Sequence, residues 1–226
     1  MPPVLHYHPL SSYCWKVLIA LYEAGTVFEP RLVDLGDAAE RARLLDLWPI
    51  GKFPVLQDTD RDRSVPESSI IIEYLDRHHP GPRPLIPHDA GVALDARLWD
   101  RFQDLYIHAP LQRIVGDRLR PAEARDATGV AEARATLRTA YAMLERRMRD
   151  RAWAIGDAFS LADCAAAPAL FYAGIVAPFP PDHPQLAAYL DRLVARPSVA
   201  RVIAEARPYF RFFPFVADMP ARFRDG

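Results

Sequence analysis

The sequence predicts two structural units: an α/β unit with the element order βαβαββα, followed by a unit built only of helices. Residues 1–79 alternate between short apolar runs typical of strands and segments with helical spacing. Four prolines within residues 79–87 then prevent a regular element and favour a semi-rigid linker. Beyond residue 89 only helical spacing remains. We therefore predict an α/β domain at 1–79, a proline-rich linker at 80–88 and a helical domain at 89–226.

The first half of the α/β unit predicts two parallel strands, each followed by a helix. Val4–His8 is a short apolar run typical of a strand, and Phe28–Leu35 is a second one. The segment Ser12–Ala24 has apolar residues at helical spacing and ends at Gly25, which suits a helix C-terminus. Asp37–Leu47 follows as a more polar helix. The helical crossover between the two strands implies that they pair in parallel.

The second half of this unit predicts a hairpin and a third helix. Phe53–Gln57 and Ser64–Pro66 are short strand patterns separated by the polar turn residues 58–62. Ser68–Arg77 then carries its large apolar residues on one side, which favours a helix.

The remainder of the chain predicts helices only. These are Ala90–Val115, Ala122–Arg149, Leu161–Ala173, Gln185–Ala195 and Ser198–Ala206. The uncharged stretch 164–181 approaches the length of a membrane span, but its prolines and alanines favour a buried helix.

The composition argues against several classes of function. With 28 basic and 29 acidic residues, the formal net charge of −1 does not suit a protein that binds nucleic acid or a membrane surface. Cys14 and Cys164 are too far apart and too few for a disulfide framework, so we expect a cytoplasmic protein. The N-terminal residues lack the basic and apolar regions of a signal peptide. The histidines show no metal-ligand spacing, so no metal site is predicted.

The loop between the first strand and the first helix is the first candidate site. It contains the run Ser11-Ser12-Tyr13-Cys14 at the expected helix start. There, backbone N–H groups and the helix dipole favour an anion beside a hydroxyl or thiol. Serine is also a preferred helix cap, so capping alone would explain one of these serines.

Two further places carry candidate groups where an element begins. A cis Phe53–Pro54 bond would leave the backbone of Val55 free to pair with an extended ligand, and an ordinary edge proline is the alternative. Glu67 and Ser68 precede the third helix, where the acid could bind an amine and the hydroxyl a carboxylate. An ordinary helix cap is again the alternative.

In this order and spacing, the three places resemble the thioredoxin-like domain of cytosolic glutathione transferases. Residues 156–163 resemble the capping-box element of their helical second domain, in which Ser160 and Asp163 satisfy each other's backbone donors. The resemblance covers essentially the whole chain and is nearest to the serine-type zeta and tau classes. It implies a thioredoxin-like N-terminal domain and an all-α C-terminal domain. It also implies a cytoplasmic homodimer with no nucleic-acid or membrane partner.

The resemblance implies a mechanism as well. Ser11 would donate a hydrogen bond to the sulfur of the co-substrate glutathione and lower its pKa, with Ser12 as the alternative hydroxyl. The thiolate would then attack a small, mainly apolar electrophile. Lys52 would bind the glycine carboxylate of glutathione, and the backbone of Val55 its cysteinyl unit. The implied glutathione-binding residues are Ser12, Lys52, Phe53, Pro54, Val55, Glu67 and Ser68, the last two at the γ-glutamyl end.

The second substrate would bind between the two domains. The predicted walls of its pocket are Leu10, Tyr13, Tyr106 and His108. The aromatic segment 209–215 is expected to pack on the core rather than to line this pocket.

Three other functions stay open at this level. Tyr13 and Glu67 depart from the zeta pattern, which counts against a maleylacetoacetate-like, glutathione-dependent isomerase without excluding it. Ser11–Cys14 overlays the Cys-Pro-Tyr-Cys run of glutaredoxins, but Cys14 is expected to be a buried apolar residue rather than a redox centre. The third is a glutathione-transferase-like binding protein without turnover.

Overall fold

The α/β unit forms as predicted around a mixed sheet. The computed structural model describes residues 1–225. The strands are β1 (Val4–Tyr7), β2 (Glu29–Leu32), β3 (Val55–Asp58) and β4 (Arg63–Pro66), in the spatial order β2-β1-β3-β4. β1 and β2 are parallel, which confirms the prediction, and β3 is antiparallel to both β1 and β4.

Helices cover both faces of this sheet. They are α1 (Ser12–Ala24), α2 (Ala38–Leu47) and α3 (Ser68–His78). On one face, α1 and α3 belong to the same buried cluster as Leu56 of β3. On the other face, Leu44 of α2 packs with Val55. Since neighbouring side chains of a strand point to opposite faces, β3 contributes to both cores.

The second unit is built from helices, as predicted. They are α4 (Ala90–Phe102), α5 (Ala109–Arg118), α6 (Ala127–Arg147), α7 (Leu161–Val176), α8 (Pro184–Ala195), α9 (Pro197–Ala206) and α10 (Ala221–Arg224). A π-helical segment, Gln103–His108, joins α4 to α5 without a break. We call it the π segment. The single helix predicted over 90–115 is therefore two α-helices joined by a wider turn.

Two predicted bounds differ from the structure for local reasons. The helix predicted from residue 122 begins at Ala127, because the carboxylate of Asp126 caps it by accepting the N–H of Gly129 at 2.8 Å. Residues 122–124 form a separate 3₁₀ turn. The strand predicted over 28–35 is confined to Glu29–Leu32, where it pairs with β1.

Helix α7 lies at the centre of the second unit, and all but one of its residues are buried. Asp163, wholly buried in its first turn, accepts the Ser160 N–H at 2.9 Å, which confirms the predicted capping interaction. The same carboxylate accepts the Ala154 N–H at 2.8 Å and the Tyr189 hydroxyl at 2.6 Å. Among residues 1–225, no helix combines the length and the apolar character needed to cross a membrane.

The two units pack closely through α1 and α7. The ring centroid of Trp15 lies 4.9 Å from that of Phe171 and 5.0 Å from that of Tyr172. The connecting segment between α3 and α4 is tied down by Asp76, whose carboxylate accepts the backbone N–H groups of Leu85 and Ile86. We propose residues 80–88 of this segment as the linker between the domains.

The aromatic C-terminal segment packs on the core, as expected. Phe210 is buried against Trp15 and Phe171, and Phe213 is buried against Tyr172. Tyr209 instead contacts the loop between β1 and α1, where its ring centroid lies 5.6 Å from that of His8.

Candidate functional site

The start of α1 offers one partly exposed hydroxyl and one buried hydroxyl. Ser11 is the cap residue, and its Oγ accepts the Cys14 N–H at 3.3 Å. Ser12 is the first helical residue, and its buried Oγ has no hydrogen-bond partner among residues 1–225. Capping therefore uses one lone pair of Ser11 and leaves its hydroxyl proton available as a donor.

The loop before β3 places an aromatic ring and a cation at the same edge of the sheet. The Phe53–Pro54 peptide bond is cis, which is one of the two possibilities that the sequence left open. The ring of Phe53 stacks on His8, with 6.0 Å between centroids, so this loop lies against the loop that precedes α1. Lys52 is exposed and forms no salt bridge within the described chain.

The start of α3 carries an acid in an unusual backbone conformation. Glu67 has a φ of 69°, which is uncommon for a residue other than glycine. Its carboxylate accepts no capping hydrogen bond from α3, so a cap does not explain the acid at this position. Ser68 follows as the first helical residue and is buried.

A cavity of about 410 Å³ joins these places to the second unit. The first unit contributes Tyr13, Trp48, Lys52, Phe53, Pro54, Glu67, Ser68, Ser69 and Ile70 to its lining. The second unit contributes Arg101, Asp104, Leu105 and Ala109. Six of the predicted site residues thus share one cavity between the two units: Tyr13, Lys52, Phe53, Pro54, Glu67 and Ser68.

The other predicted site residues do not line this cavity. Leu10, Ser11 and Ser12 precede Tyr13 in the loop and first turn of α1, and Val55 follows the lining residue Pro54. Ser11 is therefore adjacent to the cavity through the first turn of its helix rather than part of its wall.

The structure also separates Tyr106 and His108 from the cavity. Tyr106 lines a different groove, of about 500 Å³, between α4, the π segment and α6. His108 is wholly buried, and its ring centroid lies 4.7 Å from that of Tyr13. The helix side that meets the cavity carries Arg101, Asp104, Leu105 and Ala109, and Tyr106 and His108 lie outside this side.

Sequence reasoning missed several residues of the cavity wall. They are Trp48, Ser69, Ile70, Arg101, Asp104, Leu105 and Ala109. Ser69 and Ile70 directly follow the predicted residues Glu67 and Ser68. Their position at the start of the same helix was the signal that could have identified them as lining residues. Arg101, Asp104, Leu105 and Ala109 have the spacing of one helix face, but the sequence does not show which face of this helix meets the cavity.

The most buried charge near the cavity is the Lys16 ammonium. Its Nζ lies 2.8 Å from Asp100 Oδ1 and 3.0 Å from Asp104 Oδ1, and it donates to Ser69 Oγ at 3.0 Å. Burial alone would raise the pKa of Asp104, but the His108 ring and the Lys16 ammonium hold it below its ordinary value. Asp104 is therefore a carboxylate at neutral pH.

Two other groups at the start of α1 stay protonated at neutral pH. Burial, helped by Asp104, raises the pKa of Tyr13 to about 12, so its phenol can donate a hydrogen bond but cannot act as a base. Burial raises the pKa of the Cys14 thiol to about 12 as well. Cys14 is wholly buried, as expected from the sequence, and has none of the thiolate character of a redox cysteine.

Comparison with known proteins gives matches over most of the chain. Residues 5–83 match the family model described as "Glutathione S-transferase, N-terminal domain", and residues 102–197 match "Glutathione S-transferase, C-terminal domain". Glutathione S-transferase U25 of Arabidopsis thaliana is 30% identical over 212 residues, which cover 90% of each chain.

Two further similarities differ in what they imply. The crystal structure of a glutathione S-transferase from Methylobacterium radiotolerans, in complex with glutathione sulfonate, is 34% identical with a TM-score of 0.78. That match covers 89% of this chain and 94% of the other. A stringent starvation protein A homolog of Haemophilus influenzae is 29% identical over 200 residues, which cover 87% of each chain.

Proposed function

Because the chain belongs to the glutathione S-transferase family, we propose that it conjugates glutathione to a small, mainly apolar electrophile. In this proposal the hydroxyl of Ser11 stabilises the attacking thiolate. The observation that carries it is the shared cavity, which brings Lys52, Glu67 and Ser68 together beside the start of α1.

The charges of the cavity match those of glutathione, which has two carboxylates and one ammonium group. Lys52, exposed and without a salt bridge among the described residues, would bind the glycine carboxylate. The Glu67 carboxylate would bind the γ-glutamyl ammonium, and Ser68 with the N–H groups of α3 would bind the neighbouring carboxylate. The backbone of Val55 would pair with the cysteinyl unit between them. Glutathione would thus extend from α3 across the cis-proline loop.

Ser11 is proposed as the group that acts on the sulfur. Its hydroxyl proton is not used in capping, and the thiolate would lie at the N-terminus of α1, where the helix dipole stabilises an anion. The thiol proton would pass to solvent, and the thiolate would displace a leaving group from the electrophile. We favour Ser11 over Ser12 because the Ser12 hydroxyl is buried. Phe53 and Pro54 would flank the thiol.

The electrophile would bind on the second-unit side of the cavity. Tyr13 and Leu105 supply apolar surface there, and the protonated Tyr13 phenol can donate to a polar group of the substrate. Leu10 stays a proposed neighbour at the entrance. Tyr106 and His108 are not proposed as contacts, since neither faces this cavity.

We also propose that two copies of the chain form a dimer. Large apolar side chains on α4 are exposed, among them Leu94 and Leu98, and Leu98 lines the groove that contains Tyr106.

The direct test is turnover of glutathione with a generic aryl halide. We expect Ser11→Ala to lower kcat by about tenfold to a hundredfold, because it removes a donor to the thiolate. Ser12→Ala is the matched control and should retain most of the activity. Loss of activity in Ser12→Ala with full activity in Ser11→Ala would assign the role to Ser12.

A second candidate function is a binding protein without turnover. The similarity to the stringent starvation protein A homolog is the reason to test it, since that relative is not named as a transferase and matches nearly the same length of chain as the transferase does. Calorimetry with glutathione distinguishes the two functions. No measurable binding to the wild-type protein would favour the second one.

A further inference from the structure

Lys16 is wholly buried, yet it lies beneath the candidate site rather than in a remote core. Its side chain is 0% exposed, so it cannot touch a ligand in the cavity. Its ammonium is held by Asp100 and Asp104, with N–O distances of 2.8 and 3.0 Å, and by Ser69 Oγ. Ser69 in turn donates to Asp100 at 2.6 Å. We call these four residues the Lys16 cluster.

The Lys16 cluster joins four elements. Lys16 belongs to α1, Ser69 to the first turn of α3, and Asp100 and Asp104 to α4 and the π segment. Both helix starts proposed to bind glutathione therefore connect to the second unit through one ammonium group. Ser69 is the immediate neighbour of Ser68, so its position affects the proposed γ-glutamyl contact.

The same cluster also reaches the proposed electrophile side of the cavity. Asp104 lines the cavity itself, next to Leu105. Its Oδ1 lies 3.5 Å from Nδ1 of the buried His108, and the His108 ring packs on Tyr13. The position of the π segment thus affects both Leu105 and Tyr13, the apolar walls of the proposed second site.

Stability alone does not account for such a cluster. Burying ions has a desolvation cost, and well-packed apolar residues in place of a buried ion pair are often equally or more stabilising. Charged groups in a fixed geometry do, however, define the relative position of the elements that they join. Reaction rates are sensitive to displacements of about 1 Å between the reacting groups.

We propose that Lys16 is a positioning residue for the reaction. It fixes the start of α3 and the π segment against α1, so that the glutathione site and the electrophile site keep one relative geometry. This inference rests on the proposed function, because it concerns the same cavity.

The test is steady-state kinetics of Lys16→Met with glutathione and an aryl halide. We expect the KM values of both substrates to rise at least about fivefold and kcat to fall about tenfold. A variant that had merely lost stability would contain less active protein, so its apparent kcat would fall while both KM values stayed unchanged. Lys16→Arg, which retains the cation, should stay within about threefold of the wild type.

Two further variants keep this test decisive. If Lys16→Met does not fold, Lys16→Met/Asp100→Asn replaces it, because Asp104 then keeps Arg101 as a partner at 3.4 Å. Arg97→Met is the matched control, since it removes an exposed ion pair between α4 and Glu73 of α3 outside the cluster. Its kinetics should equal those of the wild type.

The outcomes separate the inference from the proposed function. Folded Lys16→Met, or its replacement Lys16→Met/Asp100→Asn, with both KM values and kcat within twofold of the wild type would overturn the inference alone. Equal losses in Lys16→Met and Arg97→Met would overturn it too, because any link between α3 and α4 would then serve. A wild-type protein that binds glutathione but shows no turnover, or binds none, would overturn the proposed function and with it the inference.

Discussion

Glu67 combines a strained backbone with a carboxylate that α3 does not use. Its φ of 69° with ψ of 116° lies outside the regions that suit an L-residue, and the acid makes no cap to the helix that follows it. Residues held in such conformations cost of order 1–3 kcal/mol and cluster at functional sites. This geometry supports a ligand role for Glu67 and could not be obtained from the sequence, where an acid before a helix suggests an ordinary cap.

Replacing Glu67 by glycine should therefore stabilise the protein and weaken its binding of glutathione. Glycine relieves the strained φ, so we expect the free energy of unfolding to rise by about 0.5–1 kcal/mol in urea titrations. Loss of a charge-assisted contact to the γ-glutamyl ammonium should weaken glutathione affinity about tenfold or more in calorimetry.

Asp62→Gly provides the matched control for this prediction. Asp62 also has a positive φ, 47°, but it lies in the β3–β4 turn and in the left-handed helical region that aspartate tolerates. We expect a smaller change in stability and an unchanged affinity for glutathione. Equal affinity loss in the two variants would contradict a specific role for the Glu67 carboxylate.

At the scale of elements, Asp58 holds the β3–β4 hairpin to α3. It ends β3 and is almost wholly buried, at 1% exposure. Its Oδ2 accepts from the Tyr74 hydroxyl at 2.9 Å and from Arg61 at 3.0 Å, and lies 3.1 Å from the His79 ring. Burial opposes ionisation, but the hydrogen bonds with His79, Tyr74 and Arg61 lower the pKa of Asp58 to about 2.

This lowered pKa predicts a specific loss of stability in acid. The ordinary aspartate pKa in an unfolded chain is about 3.9, so the folded protein binds the Asp58 proton less tightly than the unfolded chain does. The stabilising contribution is complete above about pH 5 and is lost as the pH falls through 2; we expect it to be about 2–3 kcal/mol. Urea titrations of Asp58→Asn should show a weaker pH dependence in this window. Asp95→Asn, on the exposed face of α4, should retain the wild-type dependence, and an unchanged profile in Asp58→Asn would contradict this role.

The elements also show what the sequence could and could not predict. The bounds of α1 were predicted to the residue, because Ser11 and Gly25 provide local signals at its two ends. The parallel pairing of β1 and β2 followed from the helix between them. The sequence did not show which face of the helix over 101–109 meets the cavity: Leu105 lies there, Tyr106 lies in a separate groove and His108 is buried.

At the scale of the whole molecule, charged contacts join the two units at two positions along α1. Arg196, between α8 and α9, makes a bidentate salt bridge to Glu23 near the end of α1, with distances of 2.7 and 2.6 Å. The Lys16 cluster joins the other part of the same helix to α4. These pairings link residues far apart in sequence, so only the fold could reveal them. Lys52, Glu67 and Ser68, by contrast, were expected from the family resemblance.

The exposed apolar face of α4 leads to a prediction about assembly. Leu94 and Leu98 are 67% and 58% exposed, and Leu98 borders a groove of about 500 Å³ lined by Trp99, Tyr106 and Met143. Burying such side chains against a second copy would contribute about 25 cal/mol for each Å² removed from water. Sedimentation velocity at micromolar concentration should therefore show a dimer. Leu98→Glu should shift it to monomer, because the dimer would bury the new charge.

Leu119→Glu is the control for this assembly. Leu119 is also highly exposed, at 70%, but it follows α5 and does not line the groove. Its charged variant should sediment as the wild type does, since the substitution adds the same charge without placing it in the contact. A monomeric wild-type protein, or a dimer that Leu98→Glu leaves intact, would exclude this face as the contact. Leu105 of the π segment, which directly follows α4, lines the candidate cavity. Measuring turnover of the Leu98→Glu monomer would therefore also show whether the cavity needs the second copy to keep its shape.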